Sequence, residues 1–278
     1  MRAEIKVLGA LQVTIDGVSV VPTASKPRQL LAMLAVNAGR VVTGSMLMEE
    51  LWGASAPRSA VSTLQTYVML LRKLIAAALP GNQRYQARKL LATGHTGYLL
   101  AVDAGDVDAV RYERLAAAGR AAGAAGDFAE ARRLLSAALD LWHGPVLVDV
   151  PAGPQLEIEV MRLTESRLAD LALRIDADLY LGRHHQLLGD LAALCARHPY
   201  MENFRAQYML ALHRCGRPGQ ALEAYHDAWS TIRDHLGVGP SARLRELHQA
   251  MLNGDSLLDD PTYLANSWAP DAMASQGA

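Results

Sequence analysis

The side chains best suited to intermolecular chemistry lie between Arg58 and Lys73 of this 278-residue chain. At 100° per residue, Ser59, Ser62, Thr66, Met69 and Lys73 share one side of a helix expected over 55–78, flanked by Arg58, Gln65 and Arg72. The opposite side carries Val61, Leu64, Val68, Leu71 and Ile75, a narrow apolar stripe. The stretch holds no Asp or Glu. Short hydroxyls, an amide and basic side chains suit a helix laid against phosphates and base edges. An ordinary amphipathic surface helix has the same stripe, so its surroundings must decide between the two.

Those surroundings have a definite order. Residues 5–21 alternate as short strands, with Asp16-Gly17 as a tight hairpin turn. A helix is expected over 25–38, with Ser25 as N-cap, Leu30, Leu31, Leu34 and Ala35 as its core face, and Gly39 at its end. A brief extended link at Val41-Val42 follows. Thr43 then caps a short helix that ends at Leu51-Trp52-Gly53. After the central helix, Pro80-Gly81-Asn82 breaks the pattern. Apolar runs at 89–92 and 98–102 then flank Thr93-Gly94-His95-Thr96-Gly97 as a hairpin. Strands, three helices and a hairpin make the order of a winged helix-turn-helix. Its third helix enters the major groove, and its hairpin tip reaches the backbone or an adjacent minor groove. Arg84, Arg88, Lys89 and His95 are then candidates for phosphate contacts along the wing.

The near-neutral net charge of −1 hides an asymmetry: residues 1–104 carry +6 and residues 105–278 carry −7. A basic front fits a polyanion, and an acidic back fits a different partner. No run of about 18 apolar residues is present to span a membrane. The opening MRAEIKVLGALQV is interrupted by charge and does not read as a signal peptide. Cys195 and Cys215 read as reduced thiols of a cytoplasmic protein.

Composition changes after Asp103-Ala104-Gly105-Asp106, taken as a linker. The expected domains are 1–104, 105–254 and a mostly disordered tail at 255–278. The second is all-helical, with helices near 107–123, 127–142, 155–181, 184–197, 202–214, 218–235 and 241–252. Glycine corners at Gly126, Gly182 and Gly216 recur, the last two 34 residues apart, which is the tetratricopeptide period; the first interval is 56. Such arrays present protein-binding surfaces. The fold class is thus mainly α: a winged helix-turn-helix (α+β) followed by an all-α tetratricopeptide-like domain.

No catalytic constellation emerges. The glycine-rich spots lack the strand, spacing and lysine of a phosphate loop. His184-His185 adjoin instead of sharing a helix face, so they make a poor metal pair. Glu157, Glu159 and Glu165 read as a solvated face, and Trp52, Trp142 and Trp229 as core anchors. The expectation is a chain that is not an enzyme and has neither cofactor nor metal.

The segments RQLLAMLAVNAGRVVTGSMLMEELWG, STLQTYVMLLRKL and TGYLLAV together resemble the OmpR-type winged helix of the Streptomyces antibiotic regulatory proteins. The stretch from VDAVRYERLAAAG through RCGRPGQALEAYHDAW resembles the bacterial transcriptional activation domain that accompanies it. The resemblance covers about residues 5–252. It implies an activator of secondary-metabolite, often antibiotic, gene clusters that binds direct repeats near the promoter −35 region and recruits RNA polymerase. Thr63, Gln65, Thr66 and Tyr67 match the family's T-L-Q-T-Y run, and Arg72 and Lys73 its basic pair. Gly97-Tyr98-Leu99-Leu100 matches the wing. Two departures stand out: Gly94-His95-Thr96 replaces a basic or proline-rich tip, and Met69 stands where Ser or Arg is common. The absence of a receiver before residue 5 and of an ATPase after residue 254 suggests the small stand-alone type.

The expected binding set is therefore Arg58, Ser59, Ser62, Thr63, Gln65, Thr66, Tyr67, Met69, Arg72, Lys73, Arg88, Lys89, His95 and Thr96. Arg58, Arg72, Lys73, Arg88 and Lys89 serve phosphates, while Ser62, Thr66 and Met69 face base edges. Arg72 or Lys73 could read guanine instead. The partners are double-stranded DNA and RNA polymerase, with a homodimer on DNA, no membrane, and a cytoplasmic, nucleoid-associated location. A helical-repeat adaptor, or a repressor with the same DNA chemistry, are the rival readings.

Overall fold

The computed structural model describes residues 2–261 and 263. Two compact units interleave in sequence. One takes the described residues up to Leu115 with Ala137–Leu168, and the other takes Ala116–Ser136 with the described residues from Ala169 on. The fold class is the expected one, mainly helical with a small-sheet winged helix at the front.

In the first unit, β1 (Ala3–Lys6), β2 (Gln12–Ile15) and β3 (Val18–Ser19) form an antiparallel sheet in that order. Asp16 and Gly17 turn the hairpin with φ of 48° and 82°, the paired left-handed residues that such a two-residue loop requires. Helix α1 (Ser25–Val36) buries Leu30, Leu31, Leu34 and Ala35 as expected. Ser25 lies inside the helix instead of capping it; Ala24 is the N-cap and makes no side-chain bond. After β4 (Val41–Thr43), the Thr43 hydroxyl accepts from the Met46 N–H at 3.2 Å and caps α2 (Gly44–Trp52).

Helix α3 (Ala60–Ala78) starts later than its periodicity suggests. The Ala60 N–H bonds the Pro57 carbonyl at 2.9 Å, so Pro57–Ala60 is a turn and Arg58 precedes the helix. Its buried stripe is Ala60, Leu64, Val68, Leu71 and Ile75. Val61, expected in that stripe, is 56% exposed: it falls at the stripe's edge in the first turn, and Ala60 takes the inward place. Then come α4 (Ala87–Leu90), β5 (Leu91–Thr93) and β6 (Gly97–Leu100), with sheet order β4-β6-β5. Lys89, read as the start of a strand, is therefore helical. A Cβ on Gly97 would lie 1.9 Å from the Val42 carbonyl oxygen, so only glycine lets β6 approach β4 here.

The rest of this unit comes from later sequence. Residues 103–105 are exposed, whereas Val107 is 1% exposed and bridges to Ile5. Asp108, which opens α5 (Asp108–Ala124), accepts from the Val7 N–H at 2.9 Å and the Leu8 N–H at 3.1 Å. Asp149 accepts from the Leu11 N–H at 2.7 Å and from Arg28 at 3.2 Å. Glu50 of α2, 2% exposed, accepts from the N–H groups of Gly153, Gln155 and Leu156 at 2.7–3.0 Å, and from the Gln29 amide at 2.8 Å. It thus caps α7 (Pro154–Tyr180) from another helix. Trp142 is a core anchor, set edge-on to Tyr112 at 5.3 Å.

In the second unit, α6 (Phe128–Leu139), α8 (His184–Arg197), α9 (Glu202–Arg214), α10 (Pro218–Leu236) and α11 (Ala242–Asn253) contribute with parts of α5 and α7. The three glycine corners share one geometry. Gly126, Gly182 and Gly216 have φ of 82°, 74° and 71°. The following N–H of Asp127, Arg183 and Arg217 returns to the carbonyl of Ala122, Asp178 and Leu212, at 2.9, 2.9 and 3.0 Å. This six-to-one bond closes each helix on a left-handed glycine and frees the chain to reverse. Arg132 and Arg174 pair with Asp178, and the Gln207 amide donates to Asp176 at 2.7 Å. Trp229, expected in the core, is 37% exposed on α10, with Arg233 lying 4.7 Å over its ring. The expected tail begins with a buried Leu258 in a 3-10 turn over Ser256–Asp259. Residue 262 and those from 264 on lie outside the described residues.

Candidate DNA interface

The outward face of α3 gathers Ser62, Gln65, Thr66, Met69 and Lys73, all exposed, with Arg58 and Ser59 exposed just ahead of it. Met69 is the most open of the apolar side chains there, at 69%. The Ser62 hydroxyl donates to the Ser59 carbonyl and the Thr66 hydroxyl to the Ser62 carbonyl, both at 2.9 Å. With those hydrogens engaged, the two oxygens face outward as acceptors, which matches the amino groups of cytosine and adenine in a major groove.

Thr63 and Tyr67 are half-buried. Tyr67 stacks on Trp52 with ring centroids 6.4 Å apart, so it braces α3 against α2. Arg72 is half-buried as well and turned toward the wing. Its Nε and Nη2 donate to the Leu91 carbonyl at 3.0 and 2.8 Å, and Nη2 also to the Thr93 hydroxyl at 2.7 Å. Burial pushes its pKa down, offset by Tyr98, with Arg88 pushing the same way as burial. Arg88 and Lys89 are exposed on α4, ahead of the wing strands, and Lys89 lies 5.5 Å over the Tyr85 ring. His95 and Thr96 form the exposed tip. The Thr96 carbonyl accepts from the Gly44 N–H at 3.0 Å, which ties the tip to the start of α2.

Between α3 and the wing runs a cleft of about 500 Å³ lined by Gln65, Met69, Arg72, Arg88, Thr93 and Tyr98. The structure therefore brings together Gln65, Met69, Arg72 and Arg88 from the expected set. Lining from Thr93 and Tyr98 was not anticipated, although their alternate places on paired strands were a usable signal. Among the described residues no group of three or more His, Cys, Asp or Glu is placed to hold a metal, and no helix is long and apolar enough to cross a membrane. Cys195 and Cys215 are free, and burial pushes both thiols up.

Fold and surface define a winged-helix transcriptional regulator joined to a helical activator domain. The family model described as "Transcriptional regulatory protein, C terminal" matches residues 19–100, and that described as "Bacterial transcriptional activator domain" matches residues 107–252. Regulatory protein DnrI of Streptomyces peucetius is 48% identical over 92% of this chain and 94% of its own length. Regulatory protein AfsR of Streptomyces coelicolor is 39% identical over 91% of this chain, which spans only 24% of that longer protein. The solved structure of Mycobacterium tuberculosis EmbR in complex with a low-affinity phosphopeptide aligns with a TM-score of 0.85 and 34% identity, covering 95% of this chain and 69% of that one. The chain belongs to the Streptomyces antibiotic regulatory protein family.

Proposed function

We propose that this chain is a sequence-specific DNA-binding activator of a secondary-metabolite gene cluster, working in the cytoplasm at the nucleoid. Two copies bind a direct repeat near the −35 region and recruit RNA polymerase. The observation that carries the reading is the exposed face of α3, free of carboxylates, with Arg58 just ahead of it, Lys73 on it, and Arg88 and Lys89 exposed on α4. Those four cations neutralise phosphates, and each contact adds about −0.9 to the slope of log K against log salt. Ser62, Thr66 and Met69 read base edges, Met69 by apolar contact with a thymine methyl. His95 and Thr96 meet the backbone beside the wing.

A footprint on promoters of the neighbouring genes at two salt concentrations tests this reading. Protection of a direct repeat beside the −35 element, weakened by salt, is expected. The Lys73→Ala variant should lose affinity and about 0.9 of the slope. Absence of protection at low salt rejects the DNA reader in favour of an adaptor. Protection without transcriptional activation in a polymerase assay marks a repressor.

A further inference from the structure

The hydrogen-bond register of the wing explains where Arg72 is aimed. Bonds from the Gly94 N–H to the Gly97 carbonyl (2.8 Å) and from the Ala101 N–H to the Leu90 carbonyl (2.7 Å) mark 94↔97 and 90↔101 as hydrogen-bonded pairs. Positions alternate in an antiparallel ladder, so the backbone groups of Leu91 and Thr93 point away from β6. β5 is the edge strand of its sheet, and an uncovered edge is left with unpaired carbonyls. The Arg72 guanidinium covers that edge. Two of its nitrogens fork onto the Leu91 carbonyl, and one of them also reaches the Thr93 hydroxyl. A planar five-donor group suits this shared geometry, and a lysine ammonium does not.

We propose that Arg72 is a positioning residue of the DNA reader: it clasps the open edge of β5 and fixes the wing relative to α3. Base reader and wing are then held ready to engage together, so binding does not have to order one against the other. Arg72 consequently leaves phosphate neutralisation to Lys73 and Arg88, its exposed neighbours. This inference rests on the DNA-binding reading above for its purpose, though not for its geometry.

The test uses the full chain and three variants, Arg72→Ala, Arg72→Lys and Thr93→Val. In the free protein, hydrogen exchange of the β5–β6 amides should rise about tenfold in both Arg72 variants and less in Thr93→Val, while α1 amides keep their rates. On the protected promoter repeat, Arg72→Lys should bind about tenfold more weakly despite its retained charge, much as Arg72→Ala does. Footprint loss should be confined to the wing's side of the site, with base preference under α3 unaltered. An Arg72→Lys variant with wild-type affinity, together with an Arg72→Ala slope reduced by about 0.9 and unchanged hairpin exchange, makes Arg72 a phosphate ligand and overturns the proposal. If the wild type binds no DNA, the functional reading falls separately. Exchange in the free protein then decides the clasp, and unchanged rates reject it.

Discussion

Replacing Glu50 by Ala tests whether the winged helix depends on residues more than a hundred positions away. Glu50 receives four donors, the N–H groups of Gly153, Gln155 and Leu156 and the Gln29 amide, all within 3.0 Å. Leu156 and Gln29 are 0% and 2% exposed, so water cannot easily replace the lost carboxylate there. At about 1–3 kcal/mol for each buried donor left without a partner, and with some rehydration at Gly153 and Gln155, the loss comes to about 3–5 kcal/mol. The neighbouring Glu49→Ala removes only an exposed contact with the Gln155 side chain and should cost less than about 0.5 kcal/mol. Urea unfolding of the full chain, followed by tryptophan fluorescence, reads both. The reasoning is refuted if Glu50→Ala stays within about 1 kcal/mol of the wild type, or if it costs no more than Glu49→Ala.

Met69→Gln should shift base preference at one position of the repeat by about 1–3 kcal/mol with no change in unfolding midpoint, since the side chain is 69% exposed. A selection of bound sequences compares the two proteins. Gly97→Ala forces a Cβ to 1.9 Å from the Val42 carbonyl oxygen, and the wing must separate from β4. Its cost should exceed about 3 kcal/mol, and footprint protection under the wing should vanish. Asp108 has its pKa raised, first by burial, against the lowering effect of the Val7 and Leu8 N–H groups. The folded state therefore holds that proton more tightly than the unfolded state does. The contribution is full below the unfolded value and declines as pH rises through the folded one. The stability advantage of the wild type over Asp108→Asn should shrink from pH 3.5 to pH 6 in urea titrations, and an advantage that grows would contradict the burial argument.

Most of the helical half is legible in the sequence because its signals are local. Apolar spacing gave α8 and α9 their full extents, and each Gly corner marks a left-handed residue that closes a helix. Thr43 and Asp16-Gly17 are equally local, one a cap and the other a turn. What escaped depends on distant partners. Val61 is 56% exposed and Trp229 is 37% exposed beneath Arg233 instead of in the core, and periodicity cannot report whether an opposing surface exists. Arg72 sits in the basic pair of α3, and its bonds to the Leu91 carbonyl at the edge of β5 come into view only in the structure. Glu50 and Asp149 resemble surface acids in sequence. Their backbone N–H donors lie 103 to 138 positions away, beyond any local rule.

Those internal duties give the charge asymmetry a structural meaning. The first 104 residues carry +6, and that excess matters only if their few acids do not offset the bases on and around α3. Glu4 pairs with Lys6 at 3.2 Å, and Asp16 accepts from the Arg2 N–H at 2.7 Å. Glu49 and Glu50 are both turned toward Gln155, one by its side chain and one by its backbone. Each of these four carboxylates is thus paired or occupied by a donor outside α3, and the fifth acid, Asp103, is exposed. Arg58 just ahead of α3, Lys73 on its exposed face, and Arg88 and Lys89 on α4 face solvent without an acidic neighbour on their own segment. Four exposed cations on segments without a carboxylate favour a polyanion there. Salt should weaken specific and non-specific DNA binding together, whereas Met69→Gln should alter only the choice of sequence.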